Sequence, residues 1–254
     1  MDSIGFIILR HSRNEATDGL CGRCYRSVRA FYPVAPVLIV DDGSSRRDPC
    51  EPLYAADSNA SVVSACEEEI GCGELLPYAH ALRRRFAPRV ITLHDSMVLR
   101  APLPRRAFEV PMAFLWHFDA HVADDPGAFR PLIASMRGGE ALAQRYDGND
   151  WKGCFGAAAV ATLDALDVLQ READLLGLMP RVRTREARMA LERAFGVACF
   201  AAGLVTGGLR EDDTPCSLFG SIFEHPRAFD RTASLADVSA LDYAAPVLKT
   251  WHGR

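Results

Sequence analysis

Four short polar clusters each follow an apolar run that reads as a β-strand. Arg10-His11 ends Ile4 to Arg10, and Asp41-Asp42-Gly43-Ser44 follows Val37 to Val40. His94-Asp95-Ser96 follows Arg89 to Leu93, and His117-Phe118-Asp119 closes Met112 to His117. A carboxylate at a strand end accepts hydrogen bonds from ribose hydroxyls or base N–H groups, and a following glycine lets backbone approach a ligand. In an open parallel sheet, ligands bind beyond the carboxyl ends of the strands, so four such clusters make a polar rim above an apolar sheet. That rim suits a nucleotide or a sugar better than a lipid. The sequence has no GxxxxGK[ST], which excludes a P-loop, and no GxGxxG after its first apolar run, which argues against a dinucleotide-binding oxidoreductase.

The elements that must hold this rim are legible as strand–helix alternation. Ile4 to Arg10 is continuously apolar, as a strand buried on both faces requires. Between Thr17 and Phe31, Leu20, Cys24, Val28 and Phe31 recur at helical spacing before Tyr32-Pro33 stops the helix. The strand at Val37 completes a βαβ unit, whose strands are parallel. A weak strand at Ser61 to Ala65 and a helix from Glu74 to Phe86 come next, then the strand Arg89 to Leu93. Further strands are expected at Met112 to His117 and Cys154 to Ala161, with helices at Pro126 to Met136 and from Thr162. Thr184 is a fair N-cap for a helix Arg185 to Cys199, whose buried stripe includes Ala190, Leu191, Ala194 and Phe195.

Composition sets the outer limits. A chain of 254 residues, 49% apolar and 24% charged, is an ordinary globular protein with enough length for a full core. With 29 basic against 33 acidic residues the net charge is −4, so nucleic acid is not the default partner. Lys152 and Lys249 are the only lysines, and the arginine excess fits a GC-rich genome rather than a function. Eight cysteines without a secretion signal, and no run of ~18 apolar residues, predict a cytoplasmic protein with reduced thiols and no membrane span. The pair Cys21 and Cys24 has no second pair to complete a zinc site. No linker or repeat interrupts the α/β pattern, so one domain over 1–254 is expected.

The segments Gly5-Phe6-Ile7-Ile8-Leu9-Arg10-His11, Cys24-Tyr25-Arg26-Ser27-Val28-Arg29, Phe31-Tyr32-Pro33 and Ile39-Val40-Asp41-Asp42-Gly43-Ser44 resemble the N-terminal half of GT-A-type glycosyltransferases. The whole chain is similar to an uncharacterised glycosyltransferase-like family of giant DNA viruses and some bacteria. That similarity continues through Gly73 to Tyr78, Leu93 to Ser96, Phe114 to Phe118, Trp151 to Gly156, Thr184 to Arg193 and Ser217 to Gly220. It implies a GT-A-like (Rossmann-like) three-layer α/β/α sandwich with a mostly parallel sheet, residues 1–100 being the nucleotide-binding half and 101–254 the acceptor side. The implied activity is metal-assisted transfer of a sugar from a nucleotide-sugar donor to a glycan, protein or small-molecule acceptor. A catalytically degenerate nucleotide-sugar-binding protein is the alternative, and a nucleotidyltransferase on a related sheet is a third reading.

The resemblance also implies site residues. Arg10, His11, Asp41, Asp42, Gly43, Glu74, His94, Ser96, Trp151 and Gly153 are expected at the donor, Trp151 by stacking on a sugar face. Asp95 is the one carboxylate where the family carries Asp-x-Asp, and with His94 and His225 (or His252) it is the expected ligand set for Mn²⁺ or Mg²⁺. An inverting reaction needs a base for the acceptor hydroxyl. Glu186, in the first turn of its helix, is preferred over Glu192, which stands four residues after Arg188 and can pair with it on the surface; Asp150 is the third candidate.

Overall fold

Continuous apolar runs build the centre of the molecule. In the computed structural model, which describes residues 3–120, 126–205, 207, 215–224 and 245–250, the strand β1 (Ile4–Arg10) is buried along almost its whole length. It lies between β2 (Val37–Asp41) and β4 (Arg89–His94), parallel to both, and β3 (Ala60–Ser64) adds a fourth parallel strand outside β2. Two further strands, β9 (Ala159–Thr162) and β6 (Met112–Phe114), complete a six-stranded sheet of order β3-β2-β1-β4-β9-β6. Only β9 runs against the others, pairing antiparallel with both β4 and β6. The chain therefore has the expected α/β class with a mostly parallel sheet.

Helices cover both faces. The helix α1 (Leu20–Phe31) buries Leu20, Cys24 and Val28 at the predicted spacing and packs on β1. A five-residue helix, α2 (Glu51–Ala55), links β2 to β3, and α3 (Leu75–Arg84) returns the chain to β4. Because the strand order reverses between β1 and β4, right-handed crossovers put α1 and α3 on opposite faces. The gap between β1 and β4 is thus the switch point of the sheet, the place where ligands bind in open α/β sheets. On the α3 side lie α6 (Leu163–Ala173) and α7 (Arg185–Ala201), capped by Thr162 and Thr184, whose hydroxyls accept from the Ala165 and Ala187 N–H groups. Phe195 of α7 is fully buried and stacks on Tyr78 of α3 with ring centroids 4.9 Å apart.

The sequence pattern and the fold differ in the second half. The strand expected over Met112 to His117 breaks after Phe114, and His117–Asp119 forms β7, paired with β8 (Lys152–Cys154) in a separate two-stranded sheet. The strand expected from Cys154 is split in the same way between β8 and β9 by a turn at Phe155–Ala157. Two helices, α4 (Pro126–Ala134) and α5 (Gly139–Asp147), precede β8 and pack on α7. A last ribbon joins β5 (Met97–Leu99) to β10 (Val247–Lys249), bringing residues near the C-terminus onto the turn after β4. No described helix is long and apolar enough to cross a membrane.

Candidate functional site

The carboxyl ends of β1 and β2 hold a compact ionic cluster. Arg10 and Asp41 are register neighbours and form an ion pair. Arg10 also lies 3.2 Å from Asp48 and donates to the Arg46 carbonyl at 2.6 Å, while Asp41 accepts the Ser44 N–H at 2.7 Å. These groups line a cleft of about 280 Å³ with Ser45, Arg47 and Tyr54 beyond the strand ends. Arg10 and Asp41 therefore stand at the ends of their strands and line this cleft.

Asp42 faces inward and does different work. Its two carboxylate oxygens accept the Gly71 and Gly73 N–H groups at 2.5 and 3.2 Å, which fixes the loop entering α3. It is 1% exposed, so the expectation that it contacts a nucleoside is corrected: its acceptors are spent on backbone. His11 donates from Nδ1 to the Asp42 carbonyl at 2.7 Å, and its N–H reaches Asp95 Oδ2 at 3.0 Å across the switch point. Gly43 sits at a φ of 65°, the left-handed region that favours glycine, and a Cβ there would also meet the Ile70 side chain at 2.7 Å.

The turn after β4 is occupied by the C-terminal ribbon. Lys249 Nζ donates to Ser96 Oγ at 2.7 Å and lies 3.0 Å from His94 Nδ1, while His94 Nε2 is 2.8 Å from the Gly156 carbonyl. Both His94 ring nitrogens are thus engaged by protein groups, and Ser96 is buried under Lys249 and Thr250. This corrects the reading of His94 as a metal ligand and of Ser96 as an open ligand contact. Asp95 is 1% exposed. Among the described residues no group of three His, Cys, Asp or Glu is placed to hold a metal, and His225 and His252 lie outside them. The described residues alone do not fit a divalent cation.

A second centre stands beside this turn. Glu74 heads α3, and its Oε2 is buried with no hydrogen-bond partner among the described residues. Burial pushes the Glu74 carboxyl above its ordinary range, against a lowering influence from Arg188. Glu192, on α7, accepts the Gly156 N–H at 2.8 Å. Burial, then the neighbouring Glu74 carboxyl, pushes Glu192 up to about 8, with Arg193 and Lys249 acting in the opposite direction. A carboxyl poised there exchanges a proton near neutral pH.

The structure thus brings Glu192, not Glu186, to Glu74. Glu186 is exposed and lines a different cleft of about 290 Å³ with Phe129, Arg181 and Thr184. Six residues separate the two on one helix, which is about 9 Å along the axis and about 120° around it. Glu192 does not pair with Arg188 on the surface, as its spacing suggested. The Arg188 side chain lies over Gly73, its Cδ 2.7 Å from where a Cβ would stand there, and faces Glu74 and Asp42. Asp150 is exposed and paired with Arg145 at 3.0 Å. Trp151 is fully buried, stacked on Tyr146 and donating to its carbonyl at 3.1 Å, so no face is left for a sugar. Gly153 is a packing glycine, because a Cβ would strike the Phe118 ring at 2.0 Å.

Sequence reasoning missed Lys249 and Arg188. The sequence's one signal for Lys249 is its rarity as one of two lysines, and for Arg188 only its position four residues before Glu192.

No protein-family model and no curated protein matches the sequence. Among solved structures the chain is similar to GalNAc-T7 with UDP, GalNAc and Mn²⁺, at TM-score 0.36 and 18% identity over 46% of this chain and 23% of that one. It is similar to residues 1–349 of S. aureus TarS, at TM-score 0.41 and 9% identity over 76% and 55% of the two chains. It is also similar to the galactosyltransferase LgtC in complex with donor and acceptor sugar analogues, at TM-score 0.43 and 12% identity over 75% and 70%. The chain spans about a quarter of the first of these proteins and about half of the second.

Proposed function

We propose that the chain is a glycosyltransferase that moves a sugar from a nucleotide-sugar donor to a hydroxyl-bearing acceptor. The sequence resemblance supplies the reaction class, and Glu192 is the observation that carries the mechanism: a carboxyl at the switch-point edge, raised by burial to about 8. The donor's nucleoside lies in the cleft of Arg10 and Asp41, where hydroxyl-accepting carboxylate and guanidinium charge stand together. Glu74, with its buried unpartnered oxygen, accepts from a sugar hydroxyl.

In the transfer step the acceptor oxygen forms a bond to the anomeric carbon as the bond from that carbon to the diphosphate breaks. The acceptor proton passes to Glu192, and the nucleoside diphosphate departs with the electron pair. A base with a pKa near the working pH is favoured for this task, and a single displacement inverts the anomeric centre. Arg188, beside Gly73, contributes positive charge at the same edge.

Calorimetric titration with UDP, GDP and their sugar conjugates, in Mn²⁺, in Mg²⁺ and in EDTA, combined with detection of released nucleoside diphosphate, tests the assignment. Binding together with donor turnover is the expected result. Binding without turnover for every donor and acceptor overturns the enzyme assignment in favour of a nucleotide-sugar-binding protein, and no binding at all overturns both.

A further inference from the structure

The hydrogen bonds around His94 form one connected path from the C-terminal ribbon to Glu192. Lys249 Nζ stands 3.0 Å from His94 Nδ1, His94 Nε2 is 2.8 Å from the Gly156 carbonyl, and the Gly156 N–H donates to Glu192 Oε1 at 2.8 Å. A carbonyl only accepts, so its partner nitrogen Nε2 carries the proton. Nδ1 is then the acceptor and takes an N–H from the Lys249 ammonium. We propose that Lys249 is a positioning residue, which holds the His94 ring through Nδ1 and, through the Gly156 turn, keeps the Glu192 carboxyl in place.

Three features make this path a constraint rather than a coincidence of contacts. Lys249 is 8% exposed and anchored twice, by the pairing of β10 on β5 and by its bond to Ser96 Oγ at 2.7 Å. Thr250 clamps the same turn, its N–H and hydroxyl both donating to the Ser96 carbonyl. The Gly156 turn carries Ala157 at a φ of 44°, a left-handed conformation that is costly for a residue with a Cβ, so surrounding contacts must hold it. The His94 ring is the nearest such contact, 2.8 Å from where a Gly156 Cβ would stand. Without the Lys249 donor, Nδ1 loses the hydrogen bond from the ammonium, and the ring that bears on the Gly156 turn loses that anchor. The turn then shifts, and the donor that fixes Glu192 shifts with it.

The inference rests on Glu192 being the proton acceptor only in its kinetic part, so two readouts are paired. In full-length protein with ¹⁵N-labelled histidine, the His94 signal, identified by its loss in His94→Gln, is expected to report the Nε2–H tautomer. In Lys249→Met that tautomer is expected to persist while the Nδ1 signal moves downfield, as its hydrogen bond from the ammonium is lost. In the transfer assay Lys249→Met and His94→Gln are each expected to lower kcat by about 10- to 100-fold at nearly unchanged donor KM, the effect of a small misplacement of a reacting group. Lys249→Arg recovers part of the loss. An unchanged His94 Nδ1 signal in folded Lys249→Met overturns the proposal, as does a raised donor KM at unchanged kcat, which makes Lys249 a donor contact. If the wild-type protein transfers no sugar, the proposed function fails, and the Nδ1 readout still decides whether Lys249 holds His94.

Discussion

Replacing Glu192 by glutamine separates a buried, poised carboxyl from an ordinary surface one without any need for substrate. The folded carboxyl is raised to about 8, chiefly by burial, whereas an unfolded glutamate titrates near about 4.3. Between these values the folded state holds a proton that the unfolded state has lost. Stability is therefore full below the unfolded pKa and falls as pH rises through the folded one. The slope is about 1.4 kcal/mol per pH unit, and the whole window amounts to about 5 kcal/mol. Glutamine keeps an oxygen for the Gly156 N–H and removes the titration. Urea unfolding from about pH 5 to about pH 9 is the assay, read as the difference in free energy between the two proteins. They are expected to differ by only about 1 kcal/mol at the acid end, with the advantage of Glu192→Gln growing to about 5 kcal/mol at the alkaline end. Parallel stability curves would refute the reasoning, because Glu192 would then titrate alike in the folded and unfolded chains.

Three further perturbations test the supporting frame by urea unfolding. Asp42→Ala strips the Gly71 and Gly73 N–H groups of their buried acceptor and is expected to cost about 2–4 kcal/mol, and a loss below 1 kcal/mol would leave that loop held by something else. Arg10→Ala leaves Asp41 and Asp48 without their shared cation, at about 3–5 kcal/mol, and an unchanged midpoint would contradict the ionic cluster at the strand ends. Phe195→Ala opens a cavity against Tyr78 and is expected to cost about 3–5 kcal/mol, a value that a surface aromatic would not approach.

The legible part of the fold was the part whose burial is two-sided. Phe6, Ile7 and Ile8 are fully covered from both faces, so β1 reads as an uninterrupted apolar run, and α1 and α7 reveal themselves through helical periodicity. The three-residue strands β5, β7, β8 and β10 carry too little pattern to read, since they are set by pairing across long stretches of chain. The candidate site divides in the same way. Polar strand ends marked the rim, and Arg10 and Asp41 stand there. What those residues touch was hidden, because Asp42 turns to a loop some thirty residues on and His94 meets a lysine 155 residues away. Glu186 looked better than Glu192 from its helix position, but tertiary burial, invisible in spacing, distinguishes the two.

The central claim is that Glu192 takes the acceptor proton during sugar transfer. Release of nucleoside diphosphate from a sugar-nucleotide panel, measured side by side for the wild-type protein, Glu192→Gln and Glu186→Gln, tests it most directly. The account predicts a loss of about 10²- to 10⁴-fold for Glu192→Gln and a rate close to wild type for Glu186→Gln. A wild-type rate in Glu192→Gln, or a collapse confined to Glu186→Gln, would contradict it.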